Sequence, residues 1–165
     1  MKTLFLSDLH LEDSRPEALH WMIGFLEGPA RDAAAVYILG DLFEYWIGDD
    51  APSQTARTLA GATRGLADRG VRIGFIHGNR DFLLGGDYAG RAGFRRRSPA
   101  QLRADLHRRS RVQRCRLFWL ARHPHHDLFA YVVLRHIGME LQLEQAHRAA
   151  LSVPVSHGEG VVELL

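Results

Sequence analysis

Three short stretches of the sequence hold groups that could do chemistry together: "SDLH" at 7–10, "GDLFEYWIGDD" at 40–50 and "HGNRD" at 77–81. From them Asp8, His10, Asp41 and Asn79 offer two carboxylates, an imidazole and an amide oxygen. This is a hard donor set, suited to Mn²⁺, Mg²⁺ or Fe²⁺ and poorly suited to copper or structural zinc. A carboxylate on the middle stretch can bridge two ions about 3.5–4 Å apart, the arrangement used for in-line displacement at phosphorus. Such ions clamp a phosphate and lower the pKa of a bound water to make hydroxide. Gly40 and Gly78 each stand directly before a candidate ligand, where a tight turn lets the backbone approach the site.

Taken singly, each stretch is ordinary. Asp-x-His is mostly a solvated loop pair, Gly-Asp after a strand is often just a turn, and Arg80 with Asp81 could form a surface ion pair worth at most about 1 kcal/mol. Their conjunction, three polar loops each following a buried strand, points to metal binding.

The elements that must position these groups follow from the pattern around them. Residues 3–7 and 34–40 read as short, apolar, buried parallel strands that end on acids, and 71–76 reads as a third. Pro16 and Glu17 suit a helix start, Leu19, Met22, Ile23 and Leu26 recur at helical spacing, and Gly28-Pro29 stops the helix. A second helix is expected over 53–69, with Ser53 as N-cap, Gly70 as stop, and Ala56, Leu59, Ala60, Ala62, Thr63, Leu66 and Ala67 on its buried face. A strand–helix–strand–helix–strand order with short connections builds a parallel α/β sheet by right-handed crossovers. All three strands then end on one side, so the three polar loops become neighbours at the carboxyl ends, where open α/β sheets bind ligands. Phe43, Tyr45 and Trp46 are read as packing beneath the second loop, since aromatics usually serve the core.

The strings "SDLHL", "GDLFEYWIGDD" and "HGNRDFLLG" resemble the signature blocks of the calcineurin-like metallophosphoesterases, over residues 1–94. Within that family the longer strings are similar to the branch that acts in lipid A biosynthesis. The resemblance implies Mn²⁺-dependent hydrolysis of the pyrophosphate of UDP-2,3-diacylglucosamine, giving UMP and 2,3-diacylglucosamine 1-phosphate. It also implies two Mn²⁺ as cofactors and a peripheral position on the cytoplasmic face of the inner membrane. Carried over by motif, Asp8 and His10 hold the first metal, Asp41 bridges, and Asn79 holds the second. Arg80, with Asn79, meets the substrate phosphate, for which the guanidinium fork is well shaped. No side chain is expected as nucleophile; that role falls to hydroxide on the metal.

The resemblance stops after Phe94. The family continues with a strand and a His-Gly-Asp block, a helical insertion that holds acyl chains, and a Gly-His-x-His block; residues 95–165 contain none of these blocks. The charge changes at the same place. Residues 1–94 carry nine Lys/Arg against thirteen Asp/Glu, whereas 95–165 carry twelve arginines, no lysine and six acids. The chain is therefore read as an α/β metallophosphoesterase half, 1–94, followed by an arginine-rich region, so the fold is expected to be incomplete.

Three readings of 95–165 compete. Its arginines could form a basic surface for anionic lipid or nucleic acid, although they lack an amphipathic arrangement and no nucleic-acid partner is expected. Of its seven histidines, those in "HPHHD" at 123–127, at His136 and in "SHGEG" at 156–160 could replace the missing imidazole ligands. The favoured reading is a shifted reading frame in GC-rich DNA, which yields such composition; the other two frames past the codon for Phe94 would then encode the missing blocks. A strand over 129–134 and a helix over 139–151 could partly cover the sheet, whose third strand would otherwise expose an edge.

Other functions remain open on these residues: hydrolysis of another nucleotide or phosphodiester, or an inactive homologue that binds anionic surfaces. The 165-residue length and 46% hydrophobic content suit one globular domain. No apolar run approaches a membrane span, and Asp8 interrupts the N-terminal apolar run too early for a signal peptide. The single Cys115 can form no internal disulfide. A cytoplasmic location is expected.

Overall fold

The computed structural model describes residues 2–107, 115–119 and 160–164. Strands β1 (Lys2–Leu6), β2 (Ala33–Leu39), β3 (Arg72–Ile76) and β4 (Phe94–Arg96) alternate with helices α1 (Pro16–Glu27), α2 (Gln54–Asp68) and α3 (Gly86–Ala92). Helix α4 (Pro99–His107) and strands β5 (Cys115–Trp119) and β6 (Gly160–Leu164) follow. The sheet runs β4-β3-β2-β1-β5-β6, parallel throughout except for the antiparallel β5–β6 pair. The expected parallel α/β unit is thus present, with strand bounds differing by at most a residue at each end.

The order of burial explains the layers. Every residue of β2 is buried, as a central strand covered on both faces requires. Met22, Phe25 and Leu26 of α1, and Thr55, Ala56, Leu59, Ala60, Thr63 and Leu66 of α2, are buried. Leu19, Ile23, Ala62 and Ala67 are partly buried against the same core. The helical spacing thus located both faces but missed Phe25 and Thr55 at their margins.

Helix α2 begins as its sequence predicts: Ser53 Oγ accepts from the Ala56 amide at 3.1 Å. A second cap comes from the loop after β1, where Asp13 accepts from Thr55 N at 2.7 Å and Gln54 N at 3.3 Å. Those hydrogen bonds, led by Thr55, hold the Asp13 carboxyl below its ordinary value. Helix α1 has Pro16 in its first turn and no side-chain cap.

One expectation about the sheet is corrected. The third strand is not an edge, because β4 pairs with it in parallel from Ile73↔Phe94 to Phe75↔Arg96. Helix α3, which no periodicity announced, packs Tyr88, Ala89 and Ala92 into the core. It is only seven residues long, too short for a helical repeat to show. Strand β4 begins at Phe94 and α4 follows it, so the described part of the chain continues in regular structure past the end of the family resemblance. The expected strand over 129–134, the helix over 139–151 and the histidines of 123–127, 136 and 157 lie outside the described residues. Among the described residues, no helix is long and apolar enough to cross a membrane.

Candidate metal centre

The loops that follow β1 and β2 are joined by their backbones. Asp8 N donates to Gly40 O at 3.2 Å, His10 N to Asp41 O at 3.0 Å and Leu11 N to Leu42 O at 2.9 Å, so the first two loops extend the parallel pairing of β1 and β2. Glu44 N returns a bond to Leu11 O at 3.1 Å. The third loop is tied to the second by side chains. Asp81, fully buried, accepts from Gly78 N at 2.6 Å within its own loop and from Leu42 N at 2.8 Å across the gap. Asp41 Oδ1 accepts from Arg80 N at 2.9 Å.

This lacing brings Asp8, His10 and Asp41 together. All three are buried, and one ligand atom from each lies within 4.8 Å of the others. Their backbones are equally distinctive: Asp8 (φ 55°), His10 (φ 49°) and Asp41 (φ 50°) are the non-glycine residues with positive φ among the described residues. A side chain in that left-handed region costs on the order of 1–2 kcal/mol. Such strain persists where surrounding structure over-determines it, most often at ligand sites.

Gly78 shows why the third loop can come so close. A Cβ on it would meet Asp41 Oδ1 at 2.2 Å and Asp41 N at 2.6 Å, so only glycine lets the two loops touch. Asn79 lies beside it. With its amide nitrogen turned toward Asp41, it donates to Oδ2 at 2.7 Å and Oδ1 at 3.0 Å; as a metal ligand it would present its oxygen instead.

Arg80 is exposed and forms an ion pair with Glu44, Nη1 to Oε1 at 3.1 Å. The surface pair between Arg80 and Asp81 considered from the sequence does not form, because Asp81 turns inward to the two amides. Burial pushes the Asp81 carboxyl above its ordinary value, even though the amides of Gly78 and Leu42 pull it down; the nearby Asp41 adds to the rise.

Sequence reasoning missed Glu44 and Asp81 as members of this cluster. Both stood inside the quoted strings, but nothing in their spacing distinguished them from solvated loop acids. Glu44 Oε2 lies 2.8 Å from His10 Nδ1, and Arg15 donates to His10 O at 2.9 Å.

The aromatic expectation holds for two of three residues. Phe43 and Trp46 are buried and pack on Tyr88 at 5.7 and 4.6 Å between ring centroids. Tyr45 is instead 57% exposed, because its side chain points away from the packed face that its neighbours share. Ile47, Phe82 and Leu83 are also exposed on the second and third loops.

An α/β sheet with parallel strand ends that gather Asp-x-His, Gly-Asp and Gly-Asn-Arg-Asp loops is consistent with a partial metallophosphoesterase fold. No family model matches the chain. Particular relatives do, over its N-terminal part. A UDP-2,3-diacylglucosamine hydrolase of Stenotrophomonas maltophilia (strain K279a) is 60% identical over 95 residues, 58% of this chain and 38% of the relative. Proteins of the same name from Xanthomonas oryzae pv. oryzae (strain PXO99A) and Aeromonas salmonicida (strain A449) are 55% identical over 95 residues and 54% over 93. They are covered to 38% and 37% of their lengths, so the chain spans little more than a third of the curated relatives it matches.

Proposed function

We propose that this chain carries the metal-binding half of a hydrolase that cleaves the pyrophosphate of UDP-2,3-diacylglucosamine, releasing UMP and 2,3-diacylglucosamine 1-phosphate. The observation that carries the proposal is the buried Asp8–His10–Asp41 cluster, with three ligand atoms within 4.8 Å and each residue in strained, left-handed backbone. The names of the relatives supply the substrate.

The donor set fits Mn²⁺ or another hard divalent ion. Asp8, His10 and Asp41 would hold the first ion; Asp41, on the middle loop and beside Asn79, would share a second with it. Bound there, the ions would neutralise the pyrophosphate and acidify the attacking water. The chain's own residues then orient the reactants. Arg80 reaches out beside Asn79 to meet the phosphate oxygens. Gly78 keeps the third loop against Asp41, and Asp81 locks that loop by accepting hydrogen bonds from the buried amides of Gly78 and Leu42. The exposed Tyr45, Ile47, Phe82 and Leu83 on the same loops suit an amphipathic substrate approached at the inner face of a membrane.

The test is Mn²⁺-dependent release of UMP from UDP-2,3-diacylglucosamine by the 165-residue chain, beside an Asp41→Ala control. Release that disappears in the control is the expected result. A folded chain that binds Mn²⁺ yet releases no UMP would overturn the assignment of activity, and release that survives Asp41→Ala would overturn the site.

A further inference from the structure

Glu44 stands where metal ligand and phosphate-facing arginine meet. It belongs to the second loop, yet its Oε2 lies 2.8 Å from His10 Nδ1 of the first loop and its Oε1 3.1 Å from Arg80 Nη1 of the third. Its own backbone is anchored, N to Leu11 O at 3.1 Å. Arg15 adds a second guanidinium 3.7 Å from Oε2, while donating to His10 O at 2.9 Å. An exposed ion pair contributes little and is freely replaced by water. Here one carboxylate is instead divided between two loops, each oxygen assigned to a different partner.

A carboxylate can only accept, so the proton of neutral His10 must sit on Nδ1, and Nε2 becomes the nitrogen able to ligate. We propose that Glu44 is a positioning residue of this site. One oxygen fixes the tautomer and ring plane of His10, and the other sets the guanidinium of Arg80, so that metal affinity and phosphate recognition depend on one side chain. The inference rests on the metal-binding reading above and extends it to a residue outside the ligand set. Glutamine at this position can present its oxygen to His10 Nδ1–H, but its NH₂ then faces the Arg80 donors. Alanine serves neither partner.

The experiment is a Mn²⁺ titration of the full chain, reading free Mn²⁺ by electron paramagnetic resonance, together with the His10 tautomer of the metal-free protein from long-range ¹H–¹⁵N spectra. In wild type, His10 should be protonated on Nδ1. Glu44→Ala should weaken Mn²⁺ binding about 10–100-fold, the range for loss of a ligand's hydrogen-bond partner, and move the proton to Nε2. Glu44→Gln, nearly isosteric and therefore the safer variant for folding, should keep the tautomer and bind Mn²⁺ with intermediate affinity. Wild-type affinity in both variants, with an unchanged tautomer, would overturn the role of Glu44 while leaving the metal site standing. A folded wild-type chain that takes up no Mn²⁺ would overturn the metal site and this inference with it.

Discussion

At the scale of single residues, backbone strain marks the site more sharply than side-chain type does. Carboxylates and histidines occur along the whole chain, but left-handed backbone at non-glycine positions coincides with the three clustered candidate ligands among the described residues. The strain can be measured without any metal. Asp8→Gly and Asp8→Ala both delete the carboxylate and every contact it makes, and they differ only in the Cβ that left-handed backbone disfavours. Alanine gains about 0.5–1 kcal/mol from its stiffer unfolded chain but loses about 1–2 kcal/mol to the native conformation. The glycine variant should therefore be the more stable by about 1 kcal/mol in urea unfolding at neutral pH. An alanine variant more stable than the glycine variant by about 0.5–1 kcal/mol, the full unfolded-chain gain, would mean that Asp8 is not held under strain.

At the scale of elements, helices and loops are held together by acids placed at helix starts. Asp49, on the second loop, accepts from Gly85 N and Tyr88 N at 2.8 Å each and from Trp46 Nε1 at 3.1 Å, so it caps α3 from another part of the chain. It takes the place of a side chain at Gly85, where a Cβ would meet Asp49 Oδ2 at 2.6 Å. Burial alone would raise the Asp49 carboxyl, but the two amides and the indole outweigh it and hold the group below its ordinary 3.8. A lowered carboxyl stabilises the fold fully above the unfolded value and ceases to do so as pH falls below 3.8 through the folded value. Asp49→Ala should accordingly cost about 1–2 kcal/mol at neutral pH, the range of a lost cap. It should also flatten the loss of stability below pH 4, as followed by urea unfolding at stepped pH. An unaltered acid slope would show that Asp49 does not contribute to it.

At the scale of the molecule, one ion would join the ends of β1 and β2, which lie side by side in the middle of the sheet. An ion that binds only the folded chain stabilises it by mass action, about 2.7 kcal/mol at a hundredfold excess over Kd. For a chain of this length that corresponds to a rise of roughly 5–10 °C in Tm. Differential scanning calorimetry with and without Mn²⁺ should show it, and Asp41→Asn should remove it. A Tm indifferent to Mn²⁺ in wild type would argue against the cluster as a cation site.

The sequence by itself determined whatever depends on neighbours along the chain. Apolar runs placed β1, β2 and β3 within a residue, Ser53 marked the cap of α2, and the order of strands and helices required that Asp8, Asp41 and Asn79 follow strands ending on one side. The donor types of the candidate ligands were legible for the same reason, since they are properties of single residues. Only the tertiary structure decided which acids stand at that site and which brace the elements around it. Glu44 meets His10 across 34 positions, Asp81 meets Leu42 across 39, and Asp49 meets Tyr88 across 39. Each pairing depends on the register of parallel strands and on loops that cross between them, and no local spacing encodes such a distance. Tyr45 and Trp46 make the same point at one step apart: two aromatics of like character in one loop, of which packing against Tyr88 buried the second and left the first in solvent.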